Sequence, residues 1–293
     1  MNFGESIAQW ARGEASVSGL VLIGSRVREE RDAVWRADAH SDWDFQVIAR
    51  RPELFGDAAW LKAAGIEPDV YAVRRAAIGG VPKVALLADG VEADFVIVPE
   101  KSLRLARWAV GFGLHQRSAK LRRALQDLAV VIRPGWRFLK GSQTWGGLYR
   151  QVVSEVDDPR LSDEEARALA DSFVCDVVWT RRKIERGELI AAQRMLHRTL
   201  AEANLRLLHE VKLRRGERSF PEGRRLERVA AAGEVEAAGV SAKRETEALR
   251  SEVERCAATM RELMKGLVGE AWRWPAGVRD AGAENNFRRD GEW

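Results

Sequence analysis

The sequence predicts an α+β chain. A mixed-sheet N-terminal domain over residues 1–135 is followed by a C-terminal helical bundle domain over 136–275, with a loosely ordered tail at 276–293. Three observations predict this. Short apolar runs of strand length alternate with helical spacing in the first half; the second half is almost entirely helical in pattern; and the change falls near Pro134-Gly135. With 293 residues, 46% of them hydrophobic, the chain is long enough to bury two cores.

The elements follow in order. Glu5 to Arg12 reads as a first helix, and Val17 to Ile23 as an apolar strand ending at Gly24. Asp42 to Ala49 is a second strand, and Ala58 to Ala64 a helix that runs out at Gly65. Lys83 to Leu87 and Val91 to Val98 are strands joined across Asp89-Gly90, a pair suited to a tight hairpin because both residues tolerate positive φ. From Leu103 the spacing is helical, with interruptions expected at Pro134-Gly135 and Gly146-Gly147. Asp163, Glu164 and Glu165 open a helix to about Glu185, the acids lying where the helix dipole favours them. Gly187 ends it. Leu189 to Val211 supplies another long helix, and Glu227 to Leu267 one or two more.

Composition narrows the class. The longest apolar stretches fall far short of the roughly 20 residues a membrane helix needs, and the polar, acidic start (Asn2, Glu5) does not resemble a secretory signal. A cytoplasmic protein without membrane partners is expected. Cys175 and Cys256 stand far apart in sequence and suit reduced thiols. The net charge of +4 is a small surplus of 48 basic over 44 acidic residues, concentrated in Arg104–Arg123 and Arg181–Arg228. Solvated helix faces account for most of it, with phosphate or another anionic ligand taking the rest. No nucleic-acid partner is expected, since no basic and aromatic single-strand platform accompanies the segment described next.

That segment runs Gly24-Ser25-Arg26, then Ser41-Asp42-Trp43-Asp44-Phe45, then Ala93-Asp94-Phe95-Val96. Strand residues two apart share a face, so Asp42 and Asp44 converge while Trp43 and Phe45 point the other way. Asp94, on a strand able to pair beside them, supplies a third carboxylate. Magnesium takes hard oxygen ligands and keeps substrate phosphate oxygens in its shell, which an open carboxylate cluster permits. Gly24 and Ser25 follow an apolar strand, where backbone N–H groups hold phosphate and a missing side chain allows close approach. Arg26 adds a guanidinium matched to phosphate. Each piece alone has a plain reading: a turn after a strand, or a solvated acidic pair at a strand edge. Asp94 is harder to explain plainly, because an unpaired carboxylate in so apolar a run is costly.

Together these pieces resemble the nucleotidyltransferase superfamily that includes DNA polymerase beta, whose hallmark is Gly-Ser, Asp-x-Asp and a later strand Asp. Within it the chain looks most like the aminoglycoside 6-adenylyltransferase (streptomycin adenylyltransferase) family. The likeness is carried by Gly24-Ser25-Arg26, Ser41-Asp42-Trp43-Asp44, Ala59-Trp60-Leu61 and Val91 to Pro99. Cys175 through Trp179 to Arg186-Gly187-Glu188-Leu189 adds to it. The resemblance implies an N-terminal nucleotidyltransferase domain and Mg2+ held by Asp42, Asp44 and Asp94. It also implies ATP cradled at Gly24 and Ser25, and transfer of AMP to a hydroxyl of a small molecule such as an aminoglycoside. Sixteen residues, Arg26 to Ser41, separate Ser25 from Asp42, more than the family usually has, so a loop insertion at the cleft mouth is expected.

For the acceptor, Asp176 is the first candidate for general base. On the Asp163–Glu185 helix, Asp176, Trp179, Thr180 and Lys183 lie at i, i+3, i+4 and i+7, a stripe suited to a sugar-like acceptor and, through Lys183, to phosphate. The plain alternative makes Trp179 core and Lys183 solvated. Asp157, Asp158 and Asp171 are available as an acidic lip for a polycationic acceptor, or are ordinary surface acids. His40, His115, His197 and His209 form no metal-like spacing. Two other functions share the N-terminal motif: a protein-adenylylating nucleotidyltransferase of toxin-antitoxin type, and a non-catalytic nucleotide-binding module. The acceptor, the nucleotide preference and the oligomeric state are not legible.

Overall fold

A computed structural model describes residues 2–28, 34 and 37–278. Most of the expected tail, 279–293, and residues 29–33, 35 and 36 of the expected 26–41 insertion lie outside the described residues. The chain divides into two compact units, Met1–Pro159 and Arg160–Trp293.

In the first unit α1 (Phe3–Gly13) is opened by a capping box between Asn2 and Glu5. It leads into β1 (Val17–Ile23), buried along its whole length. A 3-10 turn, Gly24–Val27, follows, and β2 is Trp43–Ala49. A second 3-10 turn (Pro52–Gly56) and α2 (Ala59–Ala63) lead to β3 (Val70–Arg75), β4 (Pro82–Ala88) and β5 (Val91–Pro99). Then come α3 (Glu100–Gly111), α4 (Leu114–Arg117), α5 (Ala119–Ile132), β6 (Arg137–Lys140) and α6 (Ser142–Glu155). The sheet order is β3-β4-β5-β2-β1-β6. Only β2 and β5 pair in parallel among the described strands, so the sheet is mixed as expected.

Alternation along the strands divides two cores between the two sheet faces. On one face Phe45, Val47, Phe95 and Ile97 pack with Trp10, Phe55 and Trp60. Phe45 stacks on Phe95 at 5.1 Å between ring centres and Trp10 meets Trp60 at 4.6 Å. On the other face Val21, Ile23 and Ile48 pack against Leu103, Leu125, Ala129, Trp145 and Tyr149 of α3, α5 and α6.

Three expectations are corrected here. Gly146 and Gly147 do not interrupt a helix; they lie inside α6, whose Trp145, Leu148, Tyr149 and Val152 are buried, and that burial outweighs the roughly 1 kcal/mol each glycine costs relative to alanine. Residues 137–140 are not helical but form β6, an edge strand on β1, where Lys140 Nζ also donates to the Ala11 carbonyl at 2.6 Å at the end of α1. The expected boundary at 135/136 moves to 159/160 because β6 joins the sheet and α6 joins the core beneath it.

The second unit contains α7 (Asp163–Glu185), α8 (Leu189–Met195), α9 (Glu202–Arg214), α10 (Leu226–Val229), α11 (Ala232–Ala238) and α12 (Thr246–Val268). A π-helical turn, Leu196–Ala201, links α8 to α9, so the expected long helix continues through it. Ser162 and Glu165 form the capping box of α7. Phe173, Val177 and Ile184 of α7 pack with Leu196, Leu200, Leu207, Val253, Met260 and Met264 in one bundle core. Glu210 is buried and bonded to Arg160 and Arg214. Burial raises its pKa, but the Arg160 and Arg214 bonds outweigh that and hold it below the usual carboxylate range. Among the described residues no helix is long and apolar enough to cross a membrane.

Candidate metal and nucleotide site

Strand pairing assembles the acidic cluster. In the parallel β2/β5 ladder Asp44 stands directly beside Asp94, and in the β1/β2 ladder Ile23 stands beside Asp44. Asp44 and Asp94 therefore sit on the sheet face opposite the Phe45–Phe95 stack, towards the N-terminal ends of their strands. Asp42 immediately precedes β2. One carboxylate oxygen from each of Asp42, Asp44 and Asp94 lies within 4.8 Å of the others, and all three residues are half-buried. Carboxylates this close repel one another, which favours a cation among them.

Gly24, at the end of β1, has φ of +76°, and a Cβ built there would lie 2.0 Å from Asp44 Oδ2. The space beside the Asp44 carboxylate therefore exists only because residue 24 has no side chain. Ser25 lies in the same 3-10 turn. Arg26 holds that turn to the start of β2: its Nε donates to the Asp42 carbonyl at 2.9 Å, its Nη2 donates to the Ser41 carbonyl, and its guanidinium lies 4.4 Å over the Trp43 ring. Trp43 in turn stacks parallel to Phe45 in the opposite core, so Arg26 couples the turn to that core. Among the described residues of the expected insertion, Ser41 Oγ donates to Asp38 Oδ1, and the His40 N–H donates to the same oxygen.

Sequence reasoning missed Lys83. Its Nζ lies 2.6 Å from Asp94 Oδ2, with the two side chains 28% and 23% exposed. Ala85 stands opposite Asp94 in the β4/β5 ladder, so Lys83, two residues away, lies on the same face and reaches diagonally across.

In the second unit Asp176, Trp179 and Lys183 lie on the outer side of α7. Trp179 is 57% exposed and does not join the core, whereas Thr180 is buried and its hydroxyl donates to the Asp176 carbonyl at 2.7 Å. The expected four-residue stripe is thus three residues wide at the surface. Partial burial raises the Asp176 carboxyl above its ordinary value of 3.8, making it a stronger base than an open aspartate. Lys183 pairs with Glu188 at 2.5 Å. Of the suggested acidic lip, Asp158 pairs with Arg133 at 2.8 Å, Asp171 accepts from Trp272 Nε1 at 2.9 Å, and Asp157 is exposed. Much of the basic surplus is spent within the fold, as in Arg104–Glu100, Arg181–Glu254 and Arg214–Glu210.

No protein-family model and no curated protein matches the chain. Among solved structures it is similar to an aminoglycoside 6-adenyltransferase from Bacillus subtilis. That match is 13% identical with a TM-score of 0.40, covering 93% of this chain and 91% of that one. It is also similar to a nucleotidyltransferase-like protein from Exiguobacterium sibiricum, at 14% identity and a TM-score of 0.35, covering 88% of this chain and 72% of that one.

Proposed function

We propose that this chain is a metal-dependent nucleotidyltransferase. More specifically, it transfers AMP from ATP to a hydroxyl of a small molecule, with aminoglycosides such as streptomycin the first acceptor class to test. The observation that carries the reading is the convergence of Asp42, Asp44 and Asp94 within 4.8 Å. The donor set fits magnesium: three hard carboxylates, a spacing one or two small cations can bridge, and an open approach at Gly24 where a Cβ would intrude. Bound magnesium would supply Lewis-acid stabilisation of the charge on the transferring phosphoryl group.

The chain's own residues do the rest. Asp42, Asp44 and Asp94 would hold the metal, and the backbone N–H groups at Gly24 and Ser25 would receive phosphate oxygens. Arg26 fixes that turn and adds positive charge beside it. The acceptor oxygen attacks the α-phosphorus, the bond to the β-phosphate oxygen breaks, pyrophosphate leaves, and the acceptor proton passes to a general base, for which Asp176 is the first candidate. An adenylylated acceptor and pyrophosphate are the products.

The test is magnesium-dependent pyrophosphate release from ATP across an aminoglycoside panel, with the Asp42→Asn/Asp44→Asn double variant as control. Release with a panel member that vanishes in the variant supports both steps of the proposal. ATP and metal binding without release keeps the reaction class and moves the acceptor to another small molecule or a protein hydroxyl. Absence of metal-dependent ATP binding overturns the proposal.

A further inference from the structure

Lys83 is placed where a metal would have to meet it. The tight turn at Asp89-Gly90 sets Ala88 opposite Val91 and Ala85 opposite Asp94, which fixes Lys83 on the acidic face of the sheet. Its ammonium contacts the oxygen Asp94 Oδ2 at 2.6 Å, and both groups are mostly shielded from water. Any ion binding Asp94 must either displace Lys83 or bind beside it, against like-charge repulsion that partial burial strengthens.

We infer that Lys83 is a built-in counter-ion of this site that opposes divalent metal in the absence of nucleotide. Resting on the metal-site reading above, this ties metal loading to arrival of the polyphosphate. The phosphates of ATP offer the Lys83 ammonium a new partner and leave Asp94 to the metal. Metal and nucleotide then bind with positive coupling, each strengthening the other by the same factor. A salt bridge that served the fold alone would lower stability when removed and leave metal affinity where it was.

The experiment titrates Mn2+ against the full-length wild type and Lys83→Met, Lys83→Gln and Lys83→Arg, without nucleotide, following free Mn2+ by electron paramagnetic resonance. Thermal melting identifies any variant that does not fold. The expected result is that Met and Gln tighten Mn2+ binding on the order of tenfold while Arg, which keeps the charge, stays near wild type. A non-hydrolysable ATP analogue should then tighten Mn2+ binding less in Lys83→Met than in wild type. Unchanged or weaker affinity in folded Lys83→Met or Lys83→Gln overturns this inference alone, provided wild type binds Mn2+ better than Asp42→Asn/Asp44→Asn. If wild type binds no better than that double variant, the metal-site reading falls and this inference falls with it.

Discussion

Gly24→Ala is the sharpest single perturbation of the site. An added Cβ would sit 2.0 Å from Asp44 Oδ2 and 2.8 Å from its Cγ, on backbone held at φ of +76°. The left-handed conformation costs alanine about 1–2 kcal/mol, and forcing the Asp44 side chain off its rotamer adds about 0.5–1.5 kcal/mol. Together the unfolding free energy should fall by about 1.5–3.5 kcal/mol. Gly65→Ala separates the two contributions, since Gly65 has φ of +70° but nothing within 4 Å of where the new methyl group would stand. It should lose only the conformational part. Urea unfolding of both full-length variants gives the stabilities, and Mn2+ titration gives the function. Gly24→Ala should weaken Mn2+ binding by at least about tenfold because Asp44 is pushed from its place, while Gly65→Ala leaves it unchanged. If Gly24→Ala is no worse than Gly65→Ala in both measurements, the turn does not constrain Asp44 and the reasoning fails.

Other substitutions probe separate features of the molecule. Asp42→Asn/Asp44→Asn should stay folded by thermal melting and lose Mn2+ binding; Mn2+ affinity equal to wild type in the folded variant would contradict this. Tyr149→Phe removes the hydroxyl that donates to the buried Gln46 Oε1 and should cost about 1–3 kcal/mol by urea unfolding. Glu210, in spite of burial, and Glu252, through its bond to Arg255, are both held below the ordinary 4.5, so their stabilisation is present above that pH and lost as pH falls through the depressed values. A pH series of melting curves should therefore steepen downward below pH 4.5, less so in Glu210→Gln. Asp176→Asn should reduce AMP transfer by about 10²–10⁴-fold without changing Mn2+ binding, and should remove an acidic limb lying above pH 3.8.

The acidic cluster is legible in the sequence because a strand repeats every two residues: Asp42 and Asp44 have to share a face with each other and not with Trp43 and Phe45. Burial of Phe45 and Phe95 then leaves the acids on the opposite face. Lys83 is also within reach of that logic. A two-residue turn at Asp89-Gly90 sets Ala85 opposite Asp94, and the same alternation puts Lys83 on the acidic face, but only once the hairpin register is used and not merely the presence of two strands. β3 and β6 escape sequence reading because both are edge strands whose side chains are mostly exposed or half-buried, so neither shows a sustained apolar alternation. Gly146-Gly147 misleads for the opposite reason: local propensity argues for a break, and the burial of Trp145 and Tyr149 decides otherwise. On α7, periodicity places Thr180 with Asp176 and Lys183, but a stripe that wide spans the edge of the buried face, and Thr180 falls inside it.

Equilibrium binding of ATP to the full-length protein with and without Mn2+, compared between wild type and Asp42→Asn/Asp44→Asn, addresses the proposed site most directly. Mn2+ should strengthen ATP binding in wild type, and the double variant should lose this enhancement. Equal ATP binding by the two proteins with Mn2+ present would mean that Asp42 and Asp44 do not form a metal-nucleotide site, and the proposed function would not stand.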